Sequence, residues 1–113
     1  MPRDAVYWLD ILDSARLIGA YVAGKTRADF LREVGLQDQV IRRFEIIGEA
    51  ARRLSEAARA ELPTVPWPRL IAFRNVLIHQ YDEINLELVW QVIERDLPGL
   101  VAALEPLVPP EQP

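Results

Sequence analysis

Residues 40–54 read VIRRFEIIGEAARRL, and the apolar members of this stretch decide the fold class. Val40/Ile41, Phe44, Ile47/Gly48, Ala51 and Leu54 recur every three to four residues, the period of a helix that buries one face. Arginines and glutamates fill the positions between. The pattern predicts a long helix from about Asp38 to Ala60. Gly48 in its interior costs roughly 1 kcal/mol relative to alanine, so the position implies close approach of a neighbouring helix or a kink.

The same period extends in both directions. Trp8, Ile11, Leu12, Ala15, Ile18 and Val22 form a stripe on a first helix expected from an Asp4 N-cap to Ala23, with Gly24 placed to stop it. Thr26-Arg27-Ala28-Asp29 has the form of a capping box, so a short helix is expected to follow Thr26 and to end at Gly35. Beyond the long helix, Pro63, Pro66 and Pro68 mark a stiff connector, and Pro68 suits a first helical turn, where a missing N–H is harmless. A helix from there to about His79, a turn over residues 80–84 and a last helix capped by Asn85 complete the series. The last helix buries Leu86, Val89, Trp90, Ile93, Leu97, Leu100, Val101 and Leu104, and Pro98 is expected to kink or split it. No strand pattern occurs. Long helices joined by short links predict an all-α, up-and-down bundle of four to five helices in a single domain over residues 1–108, with a disordered Pro-rich tail at 109–113. Trp67 and Trp90 are expected as core anchors rather than platforms for stacked bases.

The 113 residues allow one domain, and half of them are apolar, enough for one core. The absence of cysteine removes disulfides and thiolate metal sites, and a reducing, cytoplasmic location is the simplest expectation. Asp4, Asp10 and Asp13 interrupt the first apolar stretch, unlike a signal or transit peptide, and no apolar run is long enough to span a membrane. The net charge of −4 argues against an indiscriminate nucleic-acid binder. Its distribution is more informative: residues 1–41 carry −1, residues 42–74 carry +3 and residues 75–113 carry −6. A basic patch on an acidic body is compatible with a phosphate-bearing ligand, as it is with solvated helix faces rich in arginine.

Chemistry-bearing residues gather in Arg74-Asn75-Val76-Leu77-Ile78-His79-Gln80-Tyr81. His79 is the only histidine. At about 100° per residue, Asn75 and His79 share a helix face, so the amide can fix the imidazole's tilt or tautomer. Arg74 lies about 140° round from His79 on a regular helix. Bringing both onto one phosphate requires a helix that loosens near His79 or a second copy of the site. A phosphate-holding arginine and a histidine titrating near neutrality are the minimum for RNA cleavage without a metal. The histidine removes the 2′-hydroxyl proton or protonates the leaving 5′-oxygen, and the arginine neutralises charge on the phosphoryl oxygens. One chain supplies one imidazole, so a homodimer with a shared cleft is a chemical expectation. Tyr81 offers a phenol that positions substrate or accepts a transferred group, or else packs on the turn. Glu49 pairs either with Arg74 across the bundle or with Arg53 at i+4. The carboxylates lack metal-ligand spacing, and neither a phosphate-binding glycine loop nor a nucleophile elbow is present, so no metal and no cofactor are expected.

These residues fit the R-x4-H-x-Y pattern of HepT-like HEPN toxins, including the Asn after the Arg. Ile46-Ile47-Gly48-Glu49-Ala50 resembles the family's "IIGEA" segment, and Val65-Pro66-Trp67 resembles the "IPW" that leads into its motif helix. Val89-Trp90 and Leu97-Pro98-Gly99-Leu100 are similar to its last helix, so the resemblance covers residues 5 to 104. It implies a HEPN-like helical bundle that dimerises, with Arg74 and His79 of both protomers lining one RNA-cleaving cleft, and Asn75 and Glu49 in support. It also implies a toxin acting as a metal-independent endoribonuclease on cellular RNA. The implied partner is a minimal nucleotidyltransferase (MNT) antitoxin that transfers AMP to the motif tyrosine, here Tyr81. Related HEPN domains also serve as non-catalytic subunits that bind substrate or nucleotide for a nucleotidyltransferase, which is the alternative function.

Overall fold

Gly24 and Thr26 separate the first two helices as their chemistry predicts. In the computed structural model, which describes residues 2–109 except the side chains of Pro2 and Tyr81, α1 spans Pro2–Val22 and α2 spans Arg27–Arg32. Gly24 takes φ +74°, the left-handed conformation in which a Cβ would be strained. The Thr26 hydroxyl accepts from the Asp29 amide at 3.1 Å while the Asp29 carboxylate accepts from the Thr26 amide at 3.0 Å, so the capping box forms.

Three expected boundaries shift, and each shift has a visible cause. First, α1 begins before Asp4, which lies in its first turn. The Asp4 carboxylate instead accepts from the backbone N–H and the hydroxyl of Ser55, at 3.0 and 2.8 Å. Second, α2 ends at Arg32, not Gly35, and the long helix α3 starts at Val34, not Asp38. Buried Gln37 makes the join by donating to the Phe30 carbonyl at 2.9 Å. Third, the helix expected through Ala60 is two helices. α3 ends at Arg53, Leu54 is extended, and Ser55 caps α4 (Glu56–Glu61) by accepting from the Ala58 amide at 3.1 Å. A serine that captures a backbone N–H competes with helix continuation, and Asp4 holds it there.

The remaining elements follow expectation. α5 spans Trp67–His79 with Pro68 in its first turn, a single 3-10 turn covers Tyr81–Glu83, and Asn85 caps α6 (Leu86–Leu104) by accepting from the Leu88 amide at 3.2 Å. A further 3-10 turn spans Glu105–Leu107. Pro98 does not split α6. Pro98 and Glu94, whose carbonyl loses a partner there, are both on the exposed face, where water can satisfy it. Residues 110–113, most of the predicted tail, lie outside the described residues.

The four long helices alternate in direction. The start of α1 meets the end of α3 through Asp4 and Ser55. The start of α3 lies beside the end of α5, where Gln37, Asp38 and Ile41 share a cleft with Asp82 and Ile84. The start of α5 lies beside the second half of α6, through Arg69 and Asp96. α6 closes the ring against α1, with Arg16–Glu105 at 3.1 Å and an Arg27–Glu87 pair from α2. This is the all-α, up-and-down arrangement predicted. Its core contains three aromatic pairs: Trp8–Trp67 at 6.0 Å between centroids, Phe30–Trp90 at 5.5 Å and Phe44–Phe73 at 5.2 Å. Trp67 and Trp90 are buried anchors. The Trp67 indole N–H donates to the carbonyls of Arg59 and Leu62, both at 3.1 Å, which seats the proline connector and fixes where α5 begins. Among the described residues no helix is long and apolar enough to cross a membrane.

Candidate active site

The site is built where α3 and α5 touch at Gly48. A Cβ at this position would fall 2.3 Å from the Cβ of Arg74, far inside contact distance. Glycine therefore lets the two backbones approach and fixes the root of the Arg74 side chain, which is the first of the two expectations for this residue. Arg74 Nη2 then lies 3.3 Å from Glu49 Oε1.

Glu49 is more crowded than either sequence reading allowed. It meets Arg74 across the helix pair and also accepts from Arg53 Nε at 2.7 Å, and from Arg52 Nε and Nη2 at 3.0 and 2.9 Å. The Arg52 hydrogen bonds are the largest influence on its carboxyl. With Arg53 and the charge of Arg74 they overcome partial desolvation and pull its pKa down to about 2. Glu49 is ionised at any physiological pH. Arg52 was not singled out from the sequence, although its i+3 spacing from Glu49 is the signal that could have found it.

His79 is the last residue of α5 and is exposed, as is Asn75 one turn earlier on the same face. With Gln80, Asp82 and Glu83 it lines a small cleft of about 200 Å³. The Gln80 amide still bonds the Val76 carbonyl at 3.0 Å, so the helix stays regular through His79. Arg74 consequently turns toward α3, while Asn75 and His79 turn outward, with a rise of about 7.5 Å between Arg74 and His79. Local loosening, one of the two ways of joining them, is not used. The structure thus pairs Arg74 with Glu49 and sets Asn75 and His79 on one exposed face, as two groups on one helix. The Tyr81 backbone starts the 3-10 turn directly after them; its side chain lies outside the described residues.

The outward face of α5 is weakly polar. Pro68, Ala72, Asn75 and His79 are exposed along it, Ile78 stands at its edge, and none but His79 can carry charge. A second carboxylate cluster, which sequence reasoning missed, lies on the opposite flank. Asp96 occupies the buried stripe of α6 and is forked by Arg69 and Arg95 beside a cavity of about 400 Å³. An aspartate between Ile93 and Leu97 in an apolar stripe was its only sign.

Comparison with known proteins shows the family of the chain. A Methanocaldococcus jannaschii protein named "Gamma-glutamylcyclotransferase and putative RNase" is 41% identical over 101 residues, covering 88% of this chain but only 46% of that longer protein. A second protein of that organism, named a "putative RNase", is 35% identical over 91% of this chain and 95% of its own length. A Thermococcus cleftensis protein named "Probable ribonuclease HepT" is 32% identical over 89% of this chain and 92% of its own. No solved structure gave a significant match. Residues 11–107 match the family described as "Ribonuclease HepT-like", with Gly48, Glu49, Arg74 and His79 all inside the matched span, and the chain belongs to that HepT-like ribonuclease family.

Proposed function

We propose that this chain is a metal-independent endoribonuclease acting on cellular RNA in the cytoplasm, the toxin of a HEPN/MNT toxin–antitoxin pair. The observation that carries the reading is the placement of Arg74 and His79 on one regular helix. Arg74 is seated by Gly48 and Glu49, and His79 is free at the helix end. The imidazole removes the 2′-hydroxyl proton, the 2′-oxygen attacks the adjacent phosphorus, and the 5′-oxygen leaves with a proton. The products are a 2′,3′-cyclic phosphate and a 5′-hydroxyl. The Arg74 guanidinium neutralises the charge that grows on the phosphoryl oxygens. Asn75, one turn behind His79, orients the ring.

Because Arg74 and His79 diverge on a regular helix, one chain does not place both on a single phosphate. A two-fold dimer through the weakly polar outer face of α5 would set His79 of each protomer beside Arg74 of its partner and supply the acid and the base together. The antitoxin of this reading is a nucleotidyltransferase. Attack of the Tyr81 phenol on the α-phosphorus of ATP gives a tyrosyl-AMP and releases pyrophosphate, leaving a phosphate group two residues from His79 that competes for the arginine.

The test is expression of wild type and His79→Ala without any partner, following growth and total RNA integrity. Arrest with RNA cleavage by wild type, persisting for purified protein in EDTA, and its absence in a soluble, dimeric His79→Ala is the expected result. Intact RNA with both soluble proteins would overturn it and favour the nucleotidyltransferase-subunit reading.

A further inference from the structure

The cluster at Glu49 holds more positive charge than an ion pair requires. Three guanidiniums converge on one carboxylate where α3 meets α5, and even with Asp10 of α1, which lines the cleft beside Arg53, positive charge is in excess. The three arginines are not equivalent. Arg74 is 24% exposed, whereas Arg52 and Arg53 are 55% and 54% exposed. Each guanidinium carries five N–H donors. Glu49 takes two from Arg52 and one from Arg53, so both present unused donors to solvent. Their orientation is fixed by the carboxylate rather than left to a flexible side chain, so less rotamer freedom remains to be lost on binding. Arg52 and Arg53 stand more open to solvent than Arg74, so an anion can reach them without displacing Arg74 from Glu49.

We propose that Arg52 and Arg53 form a second phosphate subsite that holds the RNA phosphodiesters next to the one cleaved at Arg74. This inference rests on the ribonuclease reading and adds the substrate's form: a single-stranded segment whose backbone runs from Arg74 along the last turn of α3. Arg52 and Arg53 are positioning residues. They neutralise phosphates that do not react, so they contribute to binding substrate and transition state alike and act on KM rather than on kcat.

The experiment uses the full chain and a short 2′-O-methyl RNA, which has no 2′-hydroxyl and is not cleaved. Its affinity is measured against KCl concentration for wild type, Arg52→Gln/Arg53→Gln, Arg52→Lys/Arg53→Lys and Arg16→Gln. Arg16 pairs with Glu105 between α1 and α6, away from the proposed track. Each lost phosphate contact on a single strand lowers the slope of log affinity against log salt by about 0.7. The Gln/Gln variant should lose about 0.7 to 1.4 from the slope and raise KM for cleavable RNA about tenfold, with kcat within about twofold of wild type. The Lys/Lys variant should recover most of the slope, and Arg16→Gln should match wild type. A folded Gln/Gln variant with the wild-type slope overturns the subsite, as does a loss confined to kcat, which would mean that Arg52 and Arg53 only brace Glu49. If wild type cleaves RNA in those same assays, the ribonuclease reading survives this failure. If wild type neither binds nor cleaves, both fall together.

Discussion

Glu49 and Asp96 each gather arginines, one where α3 meets α5 and the other where α5 meets α6, and they do so under different solvation. The Asp96 side chain is 5% exposed and each of its two partners grips it with a fork, Arg95 through Nε and Nη2 at 3.2 Å and Arg69 through the same two atoms. Burial pushes its carboxyl up, but hydrogen bonds from Arg69 and Arg95 and their charges outweigh that and hold it below the usual aspartate range. Glu49 is 27% exposed and has three partners. A buried carboxylate needs its arginines to remain charged at all, and here Arg69 ties α5 to α6 while Arg95 braces Asp96 from its own helix. A half-open carboxylate can share its arginines with a second anion. The same pair of residue types is therefore a structural tie at Asp96 and, in the proposed subsite, a ligand-facing cluster at Glu49.

The largest expected effects are at the two clusters themselves. Asp96→Ala removes the shared counter-charge of Arg69 and Arg95; both are about half exposed and can turn to water, so the loss is that of charge-assisted hydrogen bonds, about 1–3 kcal/mol. Urea unfolding followed by circular dichroism should show that loss, with RNA cleavage per folded molecule unchanged; Asp96→Asn, which keeps the shape, serves if the alanine variant does not fold. A loss under about 1 kcal/mol would erase the contrast between the two clusters. Arg74→Ala is the counterpart. Removing a preorganised partner of transition-state charge lowers kcat by about 10²–10³-fold, while thermal stability should change little because the side chain ends at a solvent-accessible pair. Equal losses of stability in the two variants would show that the clusters do the same work.

The comparison also marks what was legible in the residues. Gly24, Thr26 and Asn85 act through their own backbone or a neighbour three residues on, so their effects could be read directly. The break at Leu54–Ser55 and the early start of α3 could not, since they depend on Asp4 reaching Ser55 across 51 residues and on Gln37 reaching Phe30. The same division holds at the site. The helix faces of Arg74, Asn75 and His79 could be read from their spacing, and the close approach at Gly48 from the cost it must offset. The Arg52 and Asp96 contacts depend on which side chains converge in three dimensions, and periodicity does not report that. In the proposed function, joining Arg74 to His79 falls to a second chain, which one helix does not encode.

Two glycines sharpen the contrast at smaller magnitude. Gly48→Ala forces α3 and α5 apart or displaces Arg74, so it should cost about 1–3 kcal/mol and lower kcat with it. A Cβ at Gly99 of α6, beside the Asp96 cavity, meets nothing within 4 Å. Gly99→Ala should therefore stabilise the helix by up to about 1 kcal/mol and leave cleavage unchanged. Paired melting curves and kcat values for the two variants check both statements, and a kcat loss in Gly99→Ala would place function at the wrong cluster.

The smallest effect is in acid, and its sign follows from the depressed carboxyls. Glu49 titrates at about 2 in the folded chain against 4.5 ordinarily. Its contribution to stability is complete above pH 4.5 and is lost as pH falls through about 2. Glu49→Gln should therefore flatten the decline in unfolding free energy over that window while leaving the part that Asp96 contributes. At neutral pH the same variant removes the negative charge that competes with RNA. Binding of 2′-O-methyl RNA should tighten, and kcat should fall because Arg74 loses the partner that aims it. Tighter binding with undiminished kcat would mean that Gly48 alone sets Arg74, and that Glu49 serves only to restrain the arginine cluster.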